Sequence, residues 1–256
     1  MLKTLDNSLK LLNYFTRETP QWGVRELAKE MNMSHSIAYR ILSTFEEHGY
    51  LIQNQVTKKY ALSIKWMELG AVVKDNFSIS EFMLPVMRRL ATETGESTYL
   101  IWRDGGEGVC VEIVESSQTI RYGVTVGSRT PLCVGASNKV IMAYLPKETQ
   151  ATIMEKGLHR YTDRTIVSQE ELSRNLDEIR KAGWAYSVGE YTEDVFAIAV
   201  PIFNAHHEVM AALAIGGPDF RMPPEKIEQT LQRIKDAKSE IQRLFAQNPE
   251  VYRILP

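Results

Sequence analysis

Cysteine is scarce in this chain. Two occur in 256 residues, Cys110 and Cys133, with no CxxC and no Cys/His spacing of the kind a zinc site uses. That argues for a reducing cytosol and against a structural zinc. Neither thiol is flanked by an activating base, so both read as small buried hydrophobes. Long apolar runs are missing too. No run reaches the ~18 residues of a membrane span, and the start Met1-Leu2-Lys3-Thr4-Leu5-Asp6 lacks a signal peptide's apolar core and cleavage site. The expected location is the cytoplasm. Nor is one sign of charge in excess: 30 Lys and Arg face 32 Asp and Glu, a net charge of −2. Residues 1–62 carry eight basic and six acidic side chains, and the remainder 22 and 26. This asymmetry is too weak to argue DNA binding by itself. Catalytic signatures are also wanting. There is no GxSxG, HExxH, P-loop or strand-linked GxGxxG. His159, His206 and His207 have no spaced carboxylate or cysteine partners. His206-His207 reads as an exposed hairpin tip, and Glu190, Glu193 and Asp194 as a solvated acidic loop. No catalytic residue, metal or cofactor is expected.

What is present is 44% hydrophobic and 24% charged, enough to bury real cores. The length suits one small domain and one medium one. Leu5, Leu9, Leu12 and Phe15 form one helical stripe, ended by Thr19-Pro20-Gln21-Trp22-Gly23. Val24, Leu27, Ala28 and Met31 form a second. Ser34 is placed to cap a third, Ala38, Ile41, Leu42 and Phe45, with Gly49 at its C-terminal end. Two short strands flank the turn Asn54-Gln55-Val56-Thr57. The spacing of Ile64, Met67, Leu69 and Val72 predicts a helical linker, a stiff spacer. Domain bounds follow: 1–62, a linker over 63–79, and a second domain over 80–250.

The second domain reads as α+β with a mostly antiparallel sheet. A helix over 80–94 precedes strands at 97–103 and 109–115. Helices are predicted at 138–145, 147–155 and 169–182, the last with a capping box from Ser168 to Glu171. Strands at 195–203 and 209–216 surround the turn Asn204-Ala205-His206-His207. A final helix over 224–245 turns Ile227, Leu231, Ile234, Ile241 and Leu244 inward. Pro201, inside a strand pattern, marks an edge or a bulge.

Two short helices and a hairpin make a winged helix-turn-helix pattern, whose second helix offers its polar face to the major groove. That face carries His35, Ser36, Tyr39, Arg40 and Ser43, with Ser34 at its start. Arg40 suits guanine or a phosphate, and Lys58 and Lys59 on the wing suit phosphates. The other reading is a trihelical domain used for protein contacts. In the late strands, Phe196, Ile198, Val200 and Ile202 alternate with Ala197 and Ala199, and Leu213 and Ile215 with Ala212, Ala214 and Gly216. A sheet face lined by Ala and Gly is covered by a close-packed helix or filled by a ligand. Gly135-Ala136-Ser137-Asn138 opens a helix whose N–H groups suit a carboxylate, or is a plain cap. Tyr99, Trp102 and Tyr122 are candidate walls.

The series Val24-Arg25-Glu26-Leu27-Ala28, Ser36-Ile37-Ala38-Tyr39-Arg40-Ile41-Leu42, Gly49-Tyr50-Leu51 and Glu68-Leu69-Gly70 resembles the DNA-binding half of IclR-type transcriptional regulators. Leu90–Ser97, Val126–Leu132, Gly135–Lys139, Ala197–Phe203 and Gly216-Gly217-Pro218 resemble its second half in order. The resemblance implies a GAF/PAS-like effector domain, a homodimer or homotetramer on double-stranded operator DNA, and control, expected to be repression, of catabolic genes. It implies effector contacts at Cys133, Gly135, Ala136, Ser187, Ala197, Ala199, Ala214 and Gly216, and a small organic effector such as a carboxylate or aromatic acid. The chain departs from the family's frequent residues at His35, Ile37, Cys133, Asn138 and Ser187. Two rivals are an enzyme and a regulator whose second domain only oligomerises; the latter expects a solid interior.

Overall fold

Leu11, Leu27, Ile41, Leu42, Leu51 and Tyr60 pack into the core of the first unit. The computed structural model describes residues 2–76 and 79–247. The helices are α1 (Lys3–Leu12), α2 (Val24–Glu30) and α3 (His35–Glu47). Ser34 caps α3 by accepting from the Ile37 amide at 3.3 Å. Gly49, at φ 75°, ends it, with Tyr50 N donating to the Phe45 carbonyl and Gly49 N to that of Glu46. That paired pattern satisfies carbonyls the last turn would leave open, and it needs the left-handed conformation glycine adopts.

The wing is a sheet of three strands, β1 (Gln21–Trp22), β2 (Leu51–Gln53) and β3 (Tyr60–Leu62), in the order β1-β3-β2. The segment expected only to break the chain thus supplies a strand. Trp22 is held there by an indole N–H bond to the Tyr14 carbonyl at 2.7 Å. The first stripe also needs correcting. Leu11 is the buried residue of α1, whereas Leu5 and Leu9 are exposed and Phe15 lies past the helix end. Periodicity identifies an apolar face but not what covers it. α4 (Lys65–Asn76) begins against α3, through Trp66 Nε1 to the Tyr50 carbonyl and Lys65 Nζ to the His48 carbonyl. The chain divides between Asn76 and Phe77, so α4 belongs with the first unit. Residues 77–78 of the expected linker and 248–250 of the expected second domain lie outside the described residues.

The second unit comprises α5 (Ile79–Thr94), β4 (Ser97–Asp104), β5 (Glu107–Val114), β6 (Arg129–Pro131), α6 (Ala136–Met142), α7 (Lys147–Glu155), α8 (Gln169–Ala182), β7 (Ala185–Val188), β8 (Val195–Phe203), β9 (Val209–Pro218) and α9 (Pro224–Gln247). Its six strands run β6-β5-β4-β9-β8-β7, each pair antiparallel. The mixed helix and antiparallel sheet is the expected fold class. β6 and β7 were not foreseen; both are short and carry no sustained alternation. Pro201 lies beyond the last β7 pairing, at Ala199, so β8 has no neighbour on that side there. α9 packs the expected Leu244, half-buried, against the core and also buries Phe245, which the expected inward set lacked. Ser168 caps α8 by accepting from Glu171 N, but its hydroxyl donates to Glu170.

Two apolar clusters sit on opposite faces of this sheet. On one, Leu100, Phe196, Ile198, Val200, Ile202, Leu213 and Ile215 pack beneath α5 and α9. On the other, Tyr99, Ile101, Cys110, Ala199, Ala212 and Ala214 face α6 and α8. Strand alternation divides them, since successive side chains point to opposite faces.

Candidate functional site

On the first unit the reading face is built by α3. Ala38, Ile41 and Leu42 anchor it in the core, which turns Ser34, His35, Ser36, Tyr39 and Arg40 outward; all five are exposed. Arg40's guanidinium has no hydrogen bond or ion pair among the described residues, and its carbonyl accepts from the hydroxyls of Ser43 and Thr44. At the wing tip Asn54 Oδ1 accepts from the amides of Val56 and Thr57, which fixes the turn. Lys58 follows at φ 56° with its Nζ near Gln55. Lys59 also has a partner within the unit. Its Nζ is 2.9 Å from Glu26, whose carboxylate also accepts from the Gly23 amide at the start of α2. Both hold Glu26 below the usual carboxylate range, the Lys59 bond first. Lys59 is thus tied to α2. Arg25, at the start of that helix, is exposed. In a helix-turn-helix the first helix crosses the backbone, a signal that could have marked Arg25 from the sequence.

On the second unit the register explains a cavity. Ser187, Ala197 and Gly216 stand side by side across β7, β8 and β9. Paired residues share a face, so three small residues fall together and leave space above them. The cavity measures about 250 Å³ and is lined by Ala197, Ala214, Gly216, Ser187, Gly135 and Ala136, together with Asn138, Glu190 and the aromatic rings of Tyr99, Tyr122 and Tyr191. That is just under the ~300–1,000 Å³ of sites for drug-sized ligands, and fits a small molecule. Six of the eight positions expected for an effector lie on it. Cys133 and Ala199 do not. Ala199 is completely buried among the side chains beneath α6, which packs on β8 and β9. Small residues therefore do both jobs offered for them: Ala199 and Ala212 admit a helix, while Ala197, Ala214 and Gly216 leave a hollow. Trp102 packs against the opposite face and is not a wall.

The start of α6 differs from a vacant anion site. Gly135 adopts φ 77°, ψ 157°, a conformation glycine tolerates, and offers no side-chain cap. Its amide donates to Glu190 Oε2 at 3.1 Å, and the Ala136 amide to Ser187 Oγ at 3.0 Å. Two of the protein's own side chains thus occupy the N–H groups on which a carboxylate was expected. Glu190 is not a solvated loop residue. Its Oε1 lies 2.5 Å from the fully buried Lys139 Nζ, which also donates to Asn175. The loop is held by Thr162 and Thr165, whose hydroxyls donate to the carbonyls of Gly189 and Glu190. This knot joins α6, α8 and the β7–β8 loop at the cavity's rim.

Hydrogen bonds fix two of the tyrosines on the cavity wall. Tyr99 Oη donates to the Tyr122 carbonyl at 3.0 Å and Thr192 to the Tyr122 hydroxyl. Burial raises the pKa of both phenols and of both thiols, that of Cys110 to about 12. These groups stay neutral near pH 7, so neither cysteine is a thiolate nucleophile. Arg129, also on the lining, is engaged by Asp104 and by Glu107 at 2.9 Å. Among the described residues no three His, Cys, Asp or Glu side chains are grouped to hold a metal. No described helix is long and apolar enough to cross a membrane.

Residues 71–243 match the family described as Bacterial transcriptional regulator IclR C-terminal, and residues 4–55 match the IclR helix-turn-helix domain. The chain is 33% identical to the HTH-type transcriptional regulator KipR of Bacillus subtilis, over 94% of this chain and 96% of that protein. It is 25% identical to the Transcriptional repressor IclR of Escherichia coli, over 94% and 89%. An IclR homolog from Microbacterium hydrocarbonoxydans, solved in complex with 4-hydroxybenzoate, has the same fold, with a TM-score of 0.80 at 22% identity over 94% of this chain and 98% of that one.

Proposed function

The chain belongs to the IclR family of bacterial transcriptional regulators, and from that premise we propose that a small organic effector in the cavity of the second unit sets the affinity of the first for operator DNA. The observation that carries this is the hollow itself. A domain that only oligomerises has no need of it, whereas here a row of Ser, Ala and Gly across three strands leaves about 250 Å³ open. The proposed mode is repression of catabolic genes, relieved by the effector; the Escherichia coli relative is named a repressor. The protein acts in the cytoplasm as a homodimer or homotetramer, a symmetric dimer covering two half-sites. It is a regulator and not an enzyme; the relatives it matches are named as a transcriptional regulator and a transcriptional repressor.

Within this reading Arg40, Tyr39, Ser36 and His35 meet base edges, Ser34 and Lys58 meet phosphates, and Lys59 contributes after loosening from Glu26. Arg25 is added as a phosphate contact of α2. The effector touches Ala197, Ala214, Gly216, Ser187, Gly135 and Ala136, with Cys133 and Ala199 supporting from behind. Its class is a small organic acid, aromatic members included, since three tyrosines line the cavity and the Microbacterium homolog holds 4-hydroxybenzoate.

Selection of sites from a random DNA pool, followed by mobility-shift titration, tests the first half. Arg40→Ala should weaken binding by about 1–3 kcal/mol; an unchanged titration removes Arg40 from base reading. Thermal-shift screening of small organic acids tests the second, because a ligand of the folded state raises its melting temperature. A panel that shifts nothing in the wild type would remove the acid class.

A further inference from the structure

We propose that Asn138 determines the specificity of the cavity, by accepting a hydrogen bond from a hydroxyl or N–H of the effector through its Oδ1. This rests on the cavity being an effector site. Asn138 stands on the first turn of α6, lines the cavity and is 4% exposed. Its Nδ2 donates to the Val134 carbonyl at 3.2 Å, which decides which way the amide faces. Oδ1 then lies over Gly108, another lining residue, where any Cβ would collide with it. Gly108 is thus the glycine that gives this amide room.

Oδ1 is buried and has no hydrogen-bond partner. An unpaired buried acceptor is unfavourable and rare in folded proteins. A donor arriving with a ligand beside Gly108, which also lines the cavity, satisfies it while Nδ2 keeps its bond to Val134. A carboxylate at this spot would set lone pairs against lone pairs.

The charges nearby point the same way. Glu190 is the anion on the lining, already bonded to Lys139 and to the Gly135 amide. Arg129, the lining cation, is engaged by two carboxylates. The α6 end of the cavity is therefore rich in acceptors and has no uncommitted cation. An effector meets this end with its donor, and its acid group lies away from Asn138 and Glu190. The effector class narrows from organic acids to hydroxylated or amino-substituted ones.

The test uses the full chain and matched probes: benzoate, 4-hydroxybenzoate and 4-methoxybenzoate, with propionate, lactate and 2-methoxypropionate as an aliphatic set. Affinity is read by calorimetry and thermal shift on wild type and Asn138→Ala. In at least one set the hydroxylated probe should bind about tenfold or more tightly than both others, because only it supplies the donor. Asn138→Ala should reduce that preference to about twofold or less while leaving the ligand-free urea midpoint unchanged or raised. Equal binding of hydroxyl and methoxy probes overturns the proposal while leaving the cavity an effector site. So does a preference that survives in Asn138→Ala. A ligand-free midpoint that falls makes Asn138 a structural residue and also overturns it. No binding of any probe to the wild type overturns this proposal together with the acid-effector reading.

Discussion

The two faces of the second unit's sheet share one backbone and differ in what alternate residues place over it. On one face Phe196, Ile198, Val200, Leu213 and Ile215 fill the space up to α5 and α9, and all are essentially inaccessible. On the other, the positions between them are Ala197, Ala199, Ala214 and Gly216. The first face is ordinary core, its stability proportional to apolar area removed from water. The second is divided. Where α6 approaches, alanine permits close packing; where α6 begins at Gly135, the same small residues border a cavity. Small side chains alone do not make a site. The position of a helix start does.

Truncating the filled face should have the largest effect. Phe196→Ala is expected to cost about 3–5 kcal/mol in urea unfolding. A loss below about 1 kcal/mol would mean that this face is not close-packed. Next is the knot at the rim. Lys139→Met leaves the Glu190 carboxylate, 12% exposed, without its cation. The expected cost is up to ~3–5 kcal/mol, lowered by the water that Glu190 retains. The double variant Lys139→Met/Glu190→Gln should recover most of it. A double variant as unstable as the single one would show that packing, and not charge, holds α6 to the β7–β8 loop.

The faces were legible in the sequence because alternation is a local signal: Phe196-Ala197-Ile198-Ala199-Val200 states both sides of a strand at once. The same holds for the caps at Ser34, Ser168 and Gly49, each read from neighbours a few residues apart. What joins distant positions was not legible. Lys139 and Glu190 are 51 residues apart, and neither carries a mark of the other. Glu190 therefore read as a solvated loop residue. Lys59 read as a free wing cation because its partner, Glu26, lies 33 residues earlier, on α2. β7 is four residues long, too short for periodicity, so Ser187 came from the family resemblance and its place beside Ala197 from the register. The division of the alanines also depended on where α6 sits, which no strand pattern contains.

A pair of substitutions on adjacent rungs separates the two roles of alanine. Ala199→Leu forces side chain into the space α6 occupies and should cost about 1–3 kcal/mol. Ala197→Leu extends into the cavity, where Ala197 is only partly buried. It should leave urea stability within ~1 kcal/mol of wild type by the same scale. Its DNA titration should match wild type while ligand-dependent shifts are lost. Equal destabilisation by both variants would mean that the hollow collapses around any added volume.

The smallest effect distinguishes the faces by titration. Tyr99, Cys110 and Cys133 are buried on the hollow face, and burial raises the pKa of each. Cys110 is the sharpest case, pushed from the ordinary 9.0 to about 12 mainly by burial, with Glu112 adding to it. Below pH ~9 the thiol is protonated in both folded and unfolded chains and adds no pH dependence. Between about 9 and 12 the unfolded chain releases a proton that the folded one keeps. The folded state then binds more protons, and stability falls as pH rises. The slope from Cys110 is at most about 1.4 kcal/mol per pH unit. Urea midpoints measured from pH 8 to 10.5 should decline, and Cys110→Ala should decline less steeply. Phe196→Ala, on the filled face, should start lower and follow the wild-type slope. Equal slopes for wild type and Cys110→Ala would place the alkaline sensitivity elsewhere, in the tyrosines that share the cavity wall.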